Sequence, residues 1–154
     1  MTLLETRVPP VVLLALAGLL TWALALLEID RILDNATGRV VGGGLVVVGV
    51  AVVAIGASEF RQADTTVDPR TVAKTSTLVT SGIFRLTRNP MYVGMVLVLI
   101  GWGSAHGSVA ALTIGCFGFM AVLTRLQIIP EERMMTQIFG CTYATYRTQV
   151  RRWI

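Results

Sequence analysis

At 154 residues, 54% of them hydrophobic and 14% charged, with a mean hydropathy of +0.70, the chain falls outside the composition of an ordinary soluble domain. A net charge of +4 and a pI near 9.7 would suit nucleic acid, but the basic residues gather beside apolar runs, where membrane topology accounts for them. Cys116, Cys141 and the single His106 are too few and too scattered for a metal site or a disulfide framework.

Three stretches carry no charge: Val11–Leu27, Val40–Ala57 and Met91–Thr124. A bilayer core calls for about 20 apolar residues per helix, and the third stretch is long enough for two helices joined by the turn signal at 103–108. The pattern predicts an all-α, polytopic integral membrane protein. Its spans are placed at about 9–28, 40–58, 89–105 and 108–129, the last two forming a helical hairpin. A polar loop (59–88) and a tail with a helix (130–154) complete one domain, 1–154.

In chain order, span one opens after Pro9-Pro10 and leads into a short loop bearing Glu28, Asp30 and Asp34. Gly42-Gly43-Gly44 and Gly49 give span two a small-residue face suited to close helix packing. Arg61, Arg70, Lys74, Arg85 and Arg88 fill the next loop, and Arg125, Arg133, Arg147, Arg151 and Arg152 lie at or after the end of span four. The positive-inside rule then places both termini and the 58–90 loop in the cytoplasm. The chain's brevity and the absence of a targeting segment point to a prokaryotic inner membrane.

Asn89-Pro90 is a strong helix start, since Asn caps well and Pro is pre-shaped for the first helical position. The free N–H groups of that first turn favour an anionic group, and Arg88 adds a full charge. After span four, Pro130-Glu131-Glu132 is read as the start of another helix, with acids in its first turn and Gly140 as its terminator. Tyr143 and Tyr146 follow three apart, and the chain closes on Val150-Arg151-Arg152-Trp153-Ile154, a basic-aromatic end of the kind that anchors at an interface.

No nucleophile–base pair is visible, and His106 sits in the outer turn of the hairpin. The residues left to carry chemistry are Arg88, Asn89, Tyr92, Arg125, Gln127, Glu131 and Glu132, at the ends of spans three and four. Singly, each has a bland reading as an interfacial charge, a helix cap or a first-turn acid. A hairpin brings its two ends together, so they can converge.

Two blocks make a more specific pattern. One runs from Ser76-Thr77-Leu78-Val79 through Phe84 to Arg88-Asn89-Pro90-Met91-Tyr92-Val93-Gly94; the other runs from Glu131-Glu132 through Phe139-Gly140 to Tyr143, Tyr146 and Val150. In these blocks, which cover roughly its C-terminal half, the chain resembles the isoprenylcysteine carboxyl methyltransferases and their relatives, the phospholipid N-methyltransferases. The resemblance implies S-adenosylmethionine as cofactor, bound on the cytoplasmic side by Ser76, Thr77, Leu78, Val79, Phe84, Asn89, Pro90, Met91, Tyr92 and Glu131. Asn89 stands where the eukaryotic enzymes have His, and Phe84 where they have Tyr. Gln127 replaces an Arg that contacts substrate, which counts against a prenylcysteine carboxylate as acceptor.

Physical reading adds roles to these positions. Arg88 or the N-terminus of span three would hold the methionine carboxylate of the cofactor, and Glu131 would pair with its ammonium group. Tyr92 or Phe84 would pack on the adenine or the sulfonium. Arg125 would orient an anionic acceptor, with Glu132 as a candidate base. The acceptor is expected to be lipophilic or amphiphilic and to enter from the bilayer, with no nucleic acid and no obligate protein partner. Three rival readings remain: an N-methyltransferase for phospholipid headgroups or other small amines, an NADPH-dependent membrane reductase of the steroid-reductase type, and a non-catalytic membrane scaffold. Against the reductase, the Glu it carries shortly after the Tyr is missing from Val93-Gly94-Met95.

Overall fold

A computed structural model describes residues 8–27, 35–63 and 77–154. Ser76, the acidic connection at 28–34 and the centre of the long loop lie outside the described residues. Among the described residues five α-helices follow in order: α1 (Pro10–Ala25), α2 (Asn35–Gln62), α3 (Pro90–Ser104), α4 (Val109–Leu123) and α5 (Ile129–Gln149). A single 3₁₀ turn, Gly82–Arg85, precedes α3, and there is no strand among the described residues. The helical, strand-free architecture matches the expected class.

Helices α2 and α3 pack along a seam of glycines spaced seven apart. Gly42 lies against the backbone of Gly101, Gly49 against that of Gly94, and Gly56 against Pro90 and Met91, so the helices run antiparallel. A Cβ built on Gly49 would sit 2.6 Å from the Gly94 carbonyl oxygen, and one on Gly94 would sit 2.6 Å from that of Gly49. No side chain fits such a gap. The backbones approach closely because both lack a Cβ there, which is how helices associate without help from a hydrophobic driving force. Gly43 and Gly44, on the same run, face open space and take no part.

The α3–α4 hairpin closes as the turn signal predicts. Gly107 takes a positive φ of 78°, and the Ser108 hydroxyl accepts from the Ala111 N–H at 3.1 Å, capping α4. Helix α1 lies across this hairpin. Fully buried Thr21 fits against Gly103 and Gly115, and Trp102 donates its indole N–H to the Gly18 carbonyl at 3.1 Å. The core joins Tyr92, Met95 and Leu99 of α3 to Cys116, Phe119 and Leu123 of α4 and to Ile128.

An α-helix does begin at Ile129, beside the expected start at Pro130, but no gap separates it from α4. α4 runs through a π turn, Thr124–Ile128, directly into α5, giving one helical stretch of 41 residues, Val109–Gln149. Proline within a regular helix lacks an N–H and presses on the carbonyl four residues earlier; a wider turn just ahead of Pro130 lets the helix continue. Glu131 and Glu132 therefore sit inside a continuous helix, and the argument from a free helix N-terminus does not apply to them. The true break comes at Gly140, whose backbone (φ 50°, ψ −122°) separates 129–139 from 141–149. That part of the sequence reading holds.

Among the described residues, two stretches, α2 and the joined Val109–Gln149, are long and apolar enough to cross a membrane, while α1 and α3 are shorter apolar helices. At 15 residues, α3 spans about 22 Å, less than a hydrocarbon core of about 30 Å. Only 17% of the apolar window of α2 is buried, so most of its valines face outward. The core helix of a soluble protein would be covered; these faces fit a lipid surrounding.

Candidate functional site

The chemistry-bearing residues collect at the end of the bundle where α3 begins. Tyr92, one turn into α3, donates its hydroxyl to the Glu131 carboxylate at 2.6 Å. Burial raises the Glu131 carboxyl above the ordinary range, and the Tyr92 hydrogen bond opposes that shift. One residue on, the almost fully buried Glu132 receives Arg152 through two N–H groups, at 3.0 and 2.7 Å, and Arg88 at 3.3 Å. Both oxygens of Glu132 are thus engaged by guanidinium groups, which gives it a structural task.

Arg88 is the anomaly of this cluster. Only 9% of its side chain is exposed, yet its Nε and one of its Nη groups have no hydrogen-bond partner within bonding geometry, Tyr143 being the polar neighbour on which its charge acts. A buried guanidinium with unmet donors is costly unless something fills the place.

The chain end closes over this cluster instead of splaying along an interface. The Arg151 carbonyl accepts from the Arg88 N–H at 3.0 Å, and the Arg152 carbonyl accepts from Thr87 at 3.2 Å and from the Asn89 amide at 2.9 Å. Trp153 packs on the core. Asn89 does occupy the cap position of α3, but its side chain makes no capping bond and holds the tail instead. Tyr143 and Tyr146 are both buried, and the Tyr146 hydroxyl donates to the Phe84 carbonyl at 2.7 Å, fixing the 3₁₀ turn to the far half of α5.

Of the residues singled out from sequence, Phe84, Arg88, Asn89, Tyr92, Glu131 and Glu132 meet through these contacts. Pro90 and Met91 are turned toward Gly56 on α2. Val79 is buried and Leu78 partly so, whereas Thr77 is exposed at the edge of the described segment. Arg125 lies in the π turn with an exposed side chain, and Gln127 in the same turn is fully buried. The Gln127 amide nitrogen donates to the Val8 carbonyl at 2.7 Å, and its Oε1 has no partner.

The sequence of this family reaches most of that framework. The pattern of the phospholipid methyltransferase family matches residues 37–142, from the start of α2 to just past the break at Gly140. The chain belongs to that family. An uncharacterized protein of Haemophilus influenzae is 34% identical over 64 residues, which is 42% of this chain and the whole of that relative. No solved structure matches. Membership makes the chain a methyltransferase by family, and with its two long apolar helices it fits membrane association.

Several residues of the site escaped the sequence reading. Arg152 read only as an interfacial charge; its pairing with Glu132 spans 20 residues and depends on the break at Gly140. Glu59, near the end of α2, accepts from the Ser81 hydroxyl at 3.1 Å and lies on Gly82, whose φ is 52°. With the Phe60–Phe84 edge-to-face contact (5.2 Å between centroids), it ties the 3₁₀ turn to α2. A groove of about 810 Å³ also opens between that turn and the far half of α5, lined by Thr80, Arg85, Thr142, Thr145, Tyr146 and Gln149 among others.

Proposed function

We propose that the protein transfers a methyl group from S-adenosylmethionine to a lipophilic or amphiphilic acceptor at the cytoplasmic face of a membrane, with four spans and a prokaryotic inner membrane as its setting. The observation that carries this reading is the buried Arg88 with unmet donors beside the Tyr92–Glu131 pair, in a chain of a methyltransferase family. The residues present fit the amino-acid end of the cofactor. The free N–H groups of Arg88 suit its carboxylate, and the Glu131 carboxylate suits its ammonium.

When bound, S-adenosylmethionine supplies an electrophilic methyl group on a sulfonium. The chain supplies position and dryness, which such a transfer chiefly requires. Tyr92 holds Glu131 in place, and Glu132 steadies Arg88 while the tail at Arg151 and Arg152 keeps water from the start of α3. Thr77, Leu78, Val79 and Phe84, with Ser76 before them, would line the adenosine side, and Pro90 and Met91 would pack beside it. Glu132, already committed to two arginines, acts in this scheme as a positioning residue; Arg125 remains the candidate for orienting an acceptor.

The test is methyl transfer from labelled cofactor to extracted lipid by the purified protein. Label in the organic phase is expected, and Glu131→Ala should weaken cofactor binding by at least roughly tenfold, as for loss of a charged hydrogen-bond partner. Unchanged binding by calorimetry in detergent would remove Glu131 from the site, and absence of any cofactor binding would leave the scaffold reading. Quenching of Trp102 or Trp153 by NADPH, and not by S-adenosylhomocysteine, would restore the reductase.

A phospholipid headgroup amine as acceptor is the second reading. The family's description favours it, and so does Gln127. Its amide nitrogen is committed to Val8, so the buried Oε1 is a lone acceptor that suits a donor such as an amine or hydroxyl, not a carboxylate. Offering phosphatidylethanolamine against prenylcysteine analogues separates the two.

A further inference from the structure

Among the described residues, the lining of the groove beside the 3₁₀ turn includes none of Arg88, Tyr92, Glu131, Glu132 and Arg152. Along this segment Val79 and Phe84 are buried, whereas Thr80 and Arg85 are exposed and line the groove. The Tyr146 hydroxyl, bonded to the Phe84 carbonyl, forms part of the wall between the two. Substituents on one face of the segment therefore need not disturb the other.

The groove's lining has one sign. No acidic side chain lines it, and Arg85 has neither an ion pair nor a hydrogen bond from its side chain among the described residues. Thr80, Thr142, Thr145 and the carboxamide-bearing Gln149 line the same groove, the Thr145 hydroxyl donating to the Cys141 carbonyl at 3.1 Å. Thr142 and Thr145 share one wall because residues three apart lie on the same face of a helix. Next to Arg85 in the chain, Leu86 is 72% exposed, an apolar side chain largely uncovered by protein. A charged head in a polar groove beside an uncovered leucine is the arrangement of an apolar–polar boundary.

We infer that this groove binds the phosphodiester of a membrane glycerophospholipid, with Arg85 as the charge partner, the Thr80 and Thr142 hydroxyls as further donors and the acyl chains leaving past Leu86. Arg85 supplies charge-assisted N–H donors to the phosphate oxygens. The volume of about 810 Å³ accommodates a headgroup with its glycerol. This lipid is held as an anchor on the far side of the segment from the cofactor cluster and is not the methyl acceptor. The inference rests on the membrane-face reading of the protein and not on methyl transfer.

The experiment is native mass spectrometry of the full chain in detergent, titrated with dioleoyl phosphatidylglycerol or with dioleoylglycerol, which has the same chains and no phosphate. Selective retention of phosphatidylglycerol is expected. Arg85→Gln should weaken it roughly tenfold, as for loss of a charge-assisted hydrogen bond, and Arg85→Lys should recover part of it. S-adenosylhomocysteine affinity should stay unchanged in Arg85→Gln, which also reports that the variant is folded. Equal retention of the two lipids, or no effect of Arg85→Gln, overturns the inference. Competition by inorganic phosphate at the same concentration as lipid assigns the groove to a free anion and overturns the lipid. A parallel loss of S-adenosylhomocysteine affinity makes the groove part of the cofactor site and overturns it as well. If methyl transfer fails while phosphatidylglycerol is still selectively held, the proposed reaction falls and the anchor stands.

Discussion

Helix α3 is held by two opposite kinds of physics. Along its face toward α2, Gly94 and Gly101 meet Gly49 and Gly42 with no side chain between them, and the helix is fixed by close backbone approach. At its N-terminal end, Arg88, Glu132 and Arg152 are fixed by charge, and Asn89 and Thr87 by hydrogen bonds to the returning tail. The glycine seam uses the smallest groups and satisfies itself completely. The charged end leaves Arg88 with unmet donors, and Gln127 nearby on the π turn with an unmet acceptor. A region built only to hold together would not carry such orphans, so the difference separates scaffold from site.

The largest way to break this comparison is to fill the seam. Gly49→Leu places a side chain where even a Cβ would meet Gly94, and is expected to cost about 3 kcal/mol or more by overpacking, read as loss of the folded species in detergent. At the charged end, Glu132→Ala strands Arg88 and frees Arg152, with a cost of about 3 kcal/mol in thermal melting. If Glu132→Ala melts like the wild type, the cluster is not structural. Tyr92→Phe removes one hydrogen bond to a carboxylate, with a loss of about 1–2 kcal/mol, and it should also weaken cofactor binding because Glu131 loses its fixed orientation. The smallest effect is expected for Gly43→Ala, which has open space around it: within about 0.5 kcal/mol of wild type, in contrast to its neighbour Gly42. A large effect there would show that the seam is wider than these contacts.

How much of this could be read in advance varied by the range of the cause. The breaks at Gly107 and Gly140 and the helix start at Asn89-Pro90 are local, and local chemistry predicted them. The meeting of Arg88, Tyr92, Glu131 and Glu132 was legible as the closing of a hairpin, but the partners were not. Arg88 was read as open to a ligand, whereas it also braces Glu132, and Glu132 was read as a candidate base, whereas both its oxygens serve arginines. Arg152 gave no signal at all, because a charge at a chain end looks the same whether it faces water or folds back over a helix start.

What the sequence determined by itself is the helical class. Long uncharged runs must satisfy their backbone groups internally, and a helix does so within one segment. Gly107 and Gly140 mark ends for the same local reason, that a positive φ costs a glycine little. Only the tertiary structure decided the rest: which glycines of α2 face α3, that the helix passes through Pro130 on a π turn, and that the last residues close over Arg88. Those outcomes depend on register and on contacts between residues as far apart as Thr87 and Arg152, where several placements satisfy the local chain equally and packing chooses among them.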